Sequence, residues 1–194
     1  MPSKLLQKYT IILGSASPRR KELLTDIGLD FSIKTTEKEE DFPDKLKGKD
    51  IAEFLAKQKS EFLSENLKTT DLLITADTIV SFKNELLNKP QNKKEAFNTL
   101  SKLSGNTHKV ITGVSIKTLK KEIVFSTTTM VTFNQLTEEE INFYIHNHNP
   151  FDKAGAYGIQ DWIGKIGIKS IEGSYSNVVG LPTSELYERL KSFI

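Results

Sequence analysis

The chain has 194 residues, of which 37% are hydrophobic and 27% charged, which is enough for one soluble globular domain or two small lobes. Its net charge of +2 is too small to indicate a nucleic-acid or membrane partner, and the absence of cysteine excludes disulfides, thiolate nucleophiles and zinc–thiolate sites. No stretch approaches the roughly 20 apolar residues of a membrane span, and the N-terminus lacks a signal-peptide pattern, so we expect a cytoplasmic protein.

Strands and helices alternate in the first part of the chain. Ser17 is the predicted N-cap of the first helix, Pro18 suits its first position and Gly28 ends it. Asp50 is the predicted N-cap of the second helix, and Glu53 completes a capping box with it. The predicted elements here are a strand over 9–14, a helix over 17–28, a strand over 31–35, a charged loop over 37–49 and a helix over 50–67.

A β-rich stretch follows, and helices close the chain. The strand over 71–82 is predicted to break at the tripeptide ADT (76–78), and residues 84–85 form a predicted hairpin turn. Thr137 and Glu140 form a predicted capping box. The other predicted elements are a helix over 92–105, an antiparallel pair of strands over 108–118 and 122–133, a helix over 137–148, an irregular glycine-rich segment over 152–164, a strand within 165–174 and an amphipathic helix over 184–194. This order predicts an α/β fold with a mixed sheet.

The sequence GSASPRRK places three cations, Arg19, Arg20 and Lys21, in the first turn of the first helix. A helix N-terminus already carries about half a positive charge, so cations there cost from a few tenths to about 1 kcal/mol in repulsion. One interpretation is that the arginines point into solvent. The other, which we favour, is an anion site, because a Gly-Ser-Ala-Ser turn offers N–H and hydroxyl donors and guanidinium groups pair with phosphate oxygens. The Walker and dinucleotide-binding glycine motifs are absent.

Asp77 lies inside an otherwise apolar strand, where a carboxylate is costly unless it lies at a strand end, pairs with a cation or binds a metal. One interpretation is a strand-end cap or a bulge. The other is a general base or a metal ligand, assisted by the acidic loop around Glu40, because hard oxygen donors suit Mg²⁺ that bridges to substrate phosphates. Lys59 and Lys89 could neutralise phosphate charge, although an isolated lysine is usually solvated.

Several short motifs are spread along nearly the whole chain. They are GSASPRRKELL near the start, LAKQKS in the second helix, and then ADTIV, NKP, LSGNTHKVITGV, DKAGAYGIQ and EGSYSNVVGLP. Together they resemble the Maf family of nucleotide pyrophosphatases. Each motif is short, but their order and spacing together are highly specific. The resemblance implies a single Maf-like domain over residues 1–194, with a mixed, twisted sheet flanked by helices and two lobes around a cleft, as in inosine triphosphatases.

The resemblance also implies a house-cleaning activity, the metal-dependent hydrolysis of dTTP, UTP and modified pyrimidine nucleotides to the monophosphate and pyrophosphate. The implied site residues are Asp77 as base and metal ligand, Glu40 as metal and substrate ligand, Lys59 and Lys89 as catalytic cations, Ser15, Ser17 and Arg20 as triphosphate ligands, and Arg19, Thr78 and Gln160 as determinants of nucleotide specificity. The implied cofactor is Mg²⁺ or Mn²⁺. The implied assembly is a homodimer. From the small net charge, we expect neither a nucleic-acid nor a membrane partner.

Two other functions fit parts of the sequence. A sibling branch of the family acts on methylated GTP, but Gln160 after GAYGI argues against it. A nucleotide-binding regulator of septation with little turnover would not need Asp77 as a base. The chain departs from the family pattern at Asn149, where an acid is common, and at Asp161 and Trp162, where a glycine is common after Gln160. These departures bear on the rim of the predicted base pocket and on the finer nucleotide preference.

Overall fold

The computed structural model describes residues 8–38 and 41–193, which form seven strands and seven α-helices. The strands are β1 (Thr10–Leu13), β2 (Phe31–Ile33), β3 (Asp71–Phe82), β4 (Glu85–Leu86), β5 (Thr107–Lys117), β6 (Glu122–Phe133) and β7 (Ile168–Glu172). The helices are α1 (Pro18–Asp26), α2 (Lys49–Leu63), α3 (Lys93–Leu103), α4 (Glu138–His148), α5 (Trp162–Gly167), α6 (Tyr175–Val179) and α7 (Thr183–Phe193). Short 3₁₀ turns occupy Pro150–Asp152 and Ala154–Ala156.

The strands form a mixed sheet in the order β2-β1-β3-β5-β6-β7, and β4 pairs with β3. β1 is parallel to both of its neighbours, so that Leu13 lies opposite Ile33 of β2 and Ile74 of β3. The β3–β4 and β6–β7 pairs are antiparallel. The mixed sheet confirms the predicted α/β class and places the carboxyl end of β1 beside the middle of β3.

The chain divides into two compact units. The first unit contains the described residues up to Asp77, residues 112–127 and the described residues from Gly180 onward. The second unit contains residues 78–111 and 128–179. Strands β3, β5 and β6 each contribute residues to both units. The single domain over residues 1–194 and the cleft between two lobes stay predictions.

In the first unit, helices cover both faces of the sheet. Successive residues of a strand point to opposite faces, so Leu13 and Ile74 share one core while Leu73 belongs to another. Leu73 packs with Leu63 of α2. The larger core combines strands β1, β3, β5 and β6 with helices α1 and α7, and its buried residues are Ile11, Leu13, Leu24, Leu29, Leu72, Ile74, Ala76, Val114, Ile116, Phe125, Leu181, Leu186, Leu190 and Phe193.

The start of α2 differs from the prediction. The helix begins at Lys49 after Gly48, whose φ is 52°, so Asp50 lies inside the first turn and the prediction of Asp50 as N-cap is wrong. Glu53, the predicted capping-box partner, instead accepts a hydrogen bond from Ser126 Oγ of β6 at 2.6 Å. Glu53 therefore makes a contact with a partner 73 residues away in the sequence instead of the predicted local one.

Three other predicted boundaries are also wrong. Strand β3 is continuous from Asp71 to Phe82, without the predicted break at 76–78. The hairpin turn lies at Lys83 and Asn84, whose φ angles of 49° and 69° are the left-handed values that two-residue hairpin turns need. Helix α2 ends at Leu63, before the predicted residue 67. The remaining elements lie close to their predicted positions, apart from α5 and α6, which were not predicted; α5 begins within the segment predicted to be irregular.

In the second unit, helix α3 packs against α4 and against the Ala154–Ala156 turn. Helix α4 begins with the predicted capping box, because Thr137 accepts from the Glu140 N–H and Glu140 accepts from the Thr137 N–H. These contacts place the irregular segment that follows α4 against a fixed helix pair.

An aromatic cluster lies in the interior of the second unit. His108 and Tyr157 meet edge to face with ring centroids 5.4 Å apart, and Phe133 contacts both rings. His108 is 1% exposed, its Nε2 lies 2.8 Å from the Tyr157 hydroxyl, and its Nδ1 has no hydrogen-bond partner within the described residues. Burial lowers the pKa of His108 to about 4, because the charged ring would lose its hydration. The ring is therefore neutral at physiological pH.

We expect the free energy of unfolding to fall as the pH drops from about 6.5 towards about 4, because the unfolded chain protonates His108 in that window and the folded chain does not. The His108 contribution is fully present above pH 6.5, and its loss amounts to about 3 kcal/mol by pH 4. Urea unfolding of the wild type and of His108→Gln between pH 7.5 and 4.5 measures this free energy. The difference in the free energy of unfolding between the two proteins should change with pH. A difference that stays constant would contradict a lowered pKa of His108.

Candidate active site

The turn between β1 and α1 lies at the carboxyl end of β1. The Gly14 N–H donates to the Ile74 carbonyl at 2.7 Å, which continues the pairing with β3 by one residue. A Cβ at Gly14 would collide with the side chains of Thr75 and Leu63, so the turn approaches β3 more closely than another residue would allow. The segment that follows, Ser15 to Ser17, therefore leaves the sheet from a fixed point.

The guanidinium of Arg20 is held against this turn. Its Nε donates to the Gly180 carbonyl at 2.9 Å, and its Nη1 donates to Ser15 Oγ at 3.3 Å. Ser15 is buried, and its Oγ also accepts from the Ser17 N–H at 3.2 Å. The solvent-facing interpretation of the first-turn cations is therefore wrong for Arg20, whose charge is fixed next to the helix N-terminus by two protein acceptors.

Ser17 is the N-cap of α1, as predicted, but its capping bond is long. Its Oγ accepts from the Arg20 N–H at 3.5 Å, which is near the outer limit for a hydrogen bond. The first turn of α1 carries no acidic residue. A hydroxyl that caps so weakly can also donate to an anion, because a hydroxyl carries one donor in addition to its acceptor lone pairs.

The second part of the arrangement is an ion pair between α2 and β3. Lys59 Nζ lies 2.5 Å from Asp77 Oδ1, and it also donates to the Ala76 carbonyl at 3.5 Å. The two side chains are 15% and 17% exposed, so both are largely removed from water while they still reach the surface. The pairing explains how Asp77 can stand in an unbroken, mostly buried strand.

Three close contacts position α2 so that Lys59 reaches Asp77. Thr75 Oγ1 donates to the Ala56 carbonyl at 2.6 Å. Ser60, which is fully buried, donates from Oγ to Glu122 Oε1 of β6 at 2.9 Å. The third contact is steric, because a Cβ at Gly113 of β5 would overlap the Ala52 carbonyl of α2. The helix backbone therefore lies directly on the sheet.

Glu122 is a member of this arrangement that the sequence did not reveal. Besides Ser60, Ser115 donates to its Oε1 at 2.8 Å, and Lys117 Nζ lies 3.5 Å from its Oε2. Ser60 and Glu122 are 62 residues apart. Ser60 is the last residue of the LAKQKS motif, but no motif includes Glu122, so only the folded chain identifies the contact.

The two groups of residues in the first unit are both related to the carboxyl end of β1, which lies beside the middle of the longer parallel strand β3. Leu13, the last residue of β1, is paired with Ile74, and Asp77 follows three residues later on β3. The Ser15–Arg20 turn begins from the same end of β1. In open α/β sheets, the carboxyl ends of parallel strands are the usual place for ligands. Cationic and hydroxyl donors after the end of β1, together with a paired carboxylate on the neighbouring strand β3, are suited to polyphosphate chemistry.

The other predicted residues fall into three groups. Arg19 is half-buried on α1, in the first unit. Thr78, Lys89 and Gln160 belong to the second unit, where Thr78 is half-buried and the other two are exposed. Glu40 lies outside the described residues. The structure thus brings together Ser15, Ser17 and Arg20 in one cluster and Lys59 and Asp77 in another.

A divalent metal was predicted on Asp77 and Glu40. No group of three or more His, Cys, Asp and Glu side chains suited to a metal ion occurs in residues 8–38 and 41–193. Asp77 nevertheless supplies a hard carboxylate at the surface. Mg²⁺ typically keeps several waters and binds through one or two carboxylates plus substrate phosphates. The donor set therefore fits a metal that is shared with a polyphosphate substrate, rather than one held in a preformed protein cage.

Comparison with known proteins gives consistent matches over almost the whole chain. A family model described as "Maf-like protein" matches residues 10–193. The chain is 44% identical to a dTTP/UTP pyrophosphatase of Flavobacterium johnsoniae over 194 residues, which are 100% of both chains. It is 48% identical to that of Flavobacterium psychrophilum over 187 residues, 96% of each chain. It is 49% identical to that of Phocaeicola vulgatus over 187 residues, 96% of this chain and 97% of the relative.

Among solved structures, a nucleoside-triphosphatase (dITP/XTP pyrophosphatase) from Mycobacterium abscessus is similar at a TM-score of 0.39 and 12% sequence identity. The match covers 64% of this chain and 72% of that chain. This likeness is too weak to show a common fold. The described part of the chain contains no helix that is long and apolar enough to cross a membrane.

We expect Arg20→Lys to raise the Kd for inorganic tripolyphosphate about tenfold, because lysine keeps the charge but cannot contact Ser15 and Gly180 together. Lys21→Gln is the matched control, since it removes a cation from the next position of the same helix, and it should change the Kd less than about threefold. Isothermal titration calorimetry measures the Kd of each variant. An equal rise in Kd in the two variants would show that only the total charge of the helix start matters for binding.

Proposed function

Because this chain belongs to the Maf family, we propose that it is a nucleoside triphosphate pyrophosphatase that hydrolyses dTTP, UTP and modified pyrimidine nucleotides to the monophosphate and pyrophosphate. The observation that carries the proposal is the Lys59–Asp77 pair, in which Asp77 stands on β3 three residues beyond the partner of Leu13, the residue at which β1 ends before the Ser15–Arg20 turn. Three relatives that align over at least 96% of this chain, each a dTTP/UTP pyrophosphatase, support the substrate class.

The reaction requires water to attack the α-phosphorus and the bond from that phosphorus to the bridging oxygen of the β-phosphate to break. The water proton needs an acceptor, and the departing pyrophosphate needs its negative charge balanced. We assign the first task to Asp77. Lys59 orients the Asp77 carboxylate through Oδ1, which leaves Oδ2 to accept a proton from water.

Charge balance falls to the cations around the substrate. Arg20 is held by the Gly180 carbonyl and the Ser15 hydroxyl and offers a planar cation to phosphate oxygens, and Ser15 and Ser17 add hydroxyl donors. Lys89 is the remaining predicted cation, and we propose that it contacts the leaving pyrophosphate. A divalent ion, Mg²⁺ or Mn²⁺, would be held by Asp77 and Glu40, and when bound it would neutralise phosphate charge.

We propose that Arg19, Thr78 and Gln160 determine the nucleotide preference. Gln160 suits a pyrimidine edge, because its amide has one donor group and one acceptor oxygen. We also propose that residues 1–194 act as one Maf-like domain, since the family model matches residues 10–193 without interruption. A cytoplasmic location follows from the same proposal, because nucleoside triphosphates are made and used there.

We expect Asp77→Asn to lower kcat for dTTP and UTP at least about a hundredfold, because the amide cannot accept the water proton, while the nucleotide still binds. The rates are measured on a panel of nucleotides by converting the released pyrophosphate to phosphate. Calorimetry measures the Kd for each nucleotide. Glu85→Gln, which removes an exposed acid from the second unit, is the control and should leave kcat unchanged. Unchanged turnover in Asp77→Asn would refute Asp77 as the base. If the wild type prefers a purine triphosphate, the proposed substrate class is refuted. If the wild type binds nucleotides without hydrolysing them, the alternative function, a nucleotide-binding regulator of septation, is favoured.

We further propose a homodimer, as the family resemblance implies. Light scattering coupled to size exclusion should give about twice the 21.9 kDa mass of one chain. A mass of one chain across the micromolar range would contradict this proposal without affecting the assigned activity.

A further inference from the structure

Gln160 is presented by a closed turn in the second unit. The Asp161 N–H donates to the Gly158 carbonyl at 3.0 Å, which closes a four-residue turn over 158–161 with Gln160 at its third position. The neighbouring residues 155–159 are buried, whereas Gln160 is exposed. The turn therefore projects a single polar side chain from an otherwise buried segment.

One phenol group links both ends of this turn. The Tyr144 hydroxyl of α4 accepts from the Gly158 N–H at 3.0 Å and donates to Asp161 Oδ2 at 2.7 Å. Tyr144 is fully buried, and burial together with its hydrogen bond to Asp161 raises the pKa of Tyr144 well above the usual range. The hydroxyl keeps its proton at every physiological pH, so both hydrogen bonds persist.

The Asp161 carboxylate is committed to the turn rather than to a helix cap. Asp161 stands at the N-cap position of α5, yet its side chain makes no capping hydrogen bond within the described residues and lies against Tyr144 instead. Lys153 Nζ lies 3.7 Å from Asp161 Oδ2 and 2.7 Å from Asp152 Oδ1. A Cβ at Gly158 would collide with the Asp161 carboxylate, so the glycine is required for this packing.

The segment before the turn is attached to β3 and to the end of the β3–β4 hairpin. The Gly155 N–H donates to the Leu87 carbonyl at 2.9 Å. A Cβ at Gly155 would lie 3.0 Å from Val80, which is two residues from Thr78 on β3 and therefore on the same face of the strand. The turn is thus fixed relative to Thr78 by the packing of the second unit.

We propose that Tyr144 and Asp161 are specificity-determining positioning residues, which hold the 158–161 turn so that the Gln160 amide meets a pyrimidine from one fixed direction. This inference rests on the proposed function. Uracil presents an acceptor oxygen at C4 and a donor at N3, whereas cytosine presents the opposite pattern. A fixed backbone limits how the amide can adjust, so the mismatched base leaves polar groups unpaired, and such mismatches discriminate strongly.

The test measures kcat/KM for UTP and for CTP in Tyr144→Phe, Asp161→Asn and the wild type. Both variants should lower the UTP to CTP ratio about tenfold. Tyr175→Phe, which alters an exposed tyrosine of the same unit, is the matched control and should keep the wild-type ratio. Urea unfolding identifies any general loss of stability. A merely structural role would lower kcat/KM equally for both nucleotides and leave the ratio unchanged, which would overturn the inference.

The same substitutions in a Gln160→Ala background test whether the effect acts through Gln160. Gln160→Ala should itself lower the ratio, and Tyr144→Phe or Asp161→Asn should then change it no further. If Tyr144→Phe or Asp161→Asn lowers the UTP to CTP ratio about tenfold further in the Gln160→Ala background, the inference is overturned. A wild type that hydrolyses neither nucleotide would refute the proposed function, and the inference with it. An active, UTP-preferring wild type with unchanged ratios in the variants would refute the inference alone.

Discussion

The ion pair between Lys59 and Asp77 is the interaction on which the candidate site depends. Asp77 stands in a strand whose other residues are mostly buried, and a carboxylate there needs a compensating cation. The cation comes from α2, the helix that precedes β3 in the chain. The docking of α2 is therefore as much a requirement of the site as the two charged groups are, and the contacts of Thr75, Ser60 and Gly113 serve that docking.

The start of α1 shows a different compromise between stability and chemistry. Cations in the first turn oppose the helix dipole, and the capping bond of Ser17 is long, so this helix start is weaker than a stability-optimised one. The Gly180 carbonyl and Ser15 hydroxyl that bind Arg20 offset part of that cost. A locally unfavourable pattern that the fold retains at one spot is typical of a functional site.

The sequence predicted local features well and long-range ones poorly. The mixed sheet, the capping box of α4 and the glycine that ends α1 follow from short patterns, and the structure confirms them. The predicted cap at Asp50 and the predicted strand break around Asp77 are wrong. In each case the structure supplies a side-chain partner, Ser126 for Glu53 and Lys59 for Asp77, that no spacing in the sequence encodes. The motif resemblance identified Lys59 without revealing that it pairs with Asp77.

The close approach of Gly113 to the Ala52 carbonyl has a consequence for how sequence variants of this protein are interpreted. Gly113 carries no reactive group and lies far from the site residues in the sequence, yet even an added methyl group would push α2, and Lys59 with it, away from the sheet. A mutational scan would rank position 113 among the positions that tolerate no substitution, as it would the proposed base, Asp77. Inactivation by a substitution there would report a displaced helix, not a missing functional group.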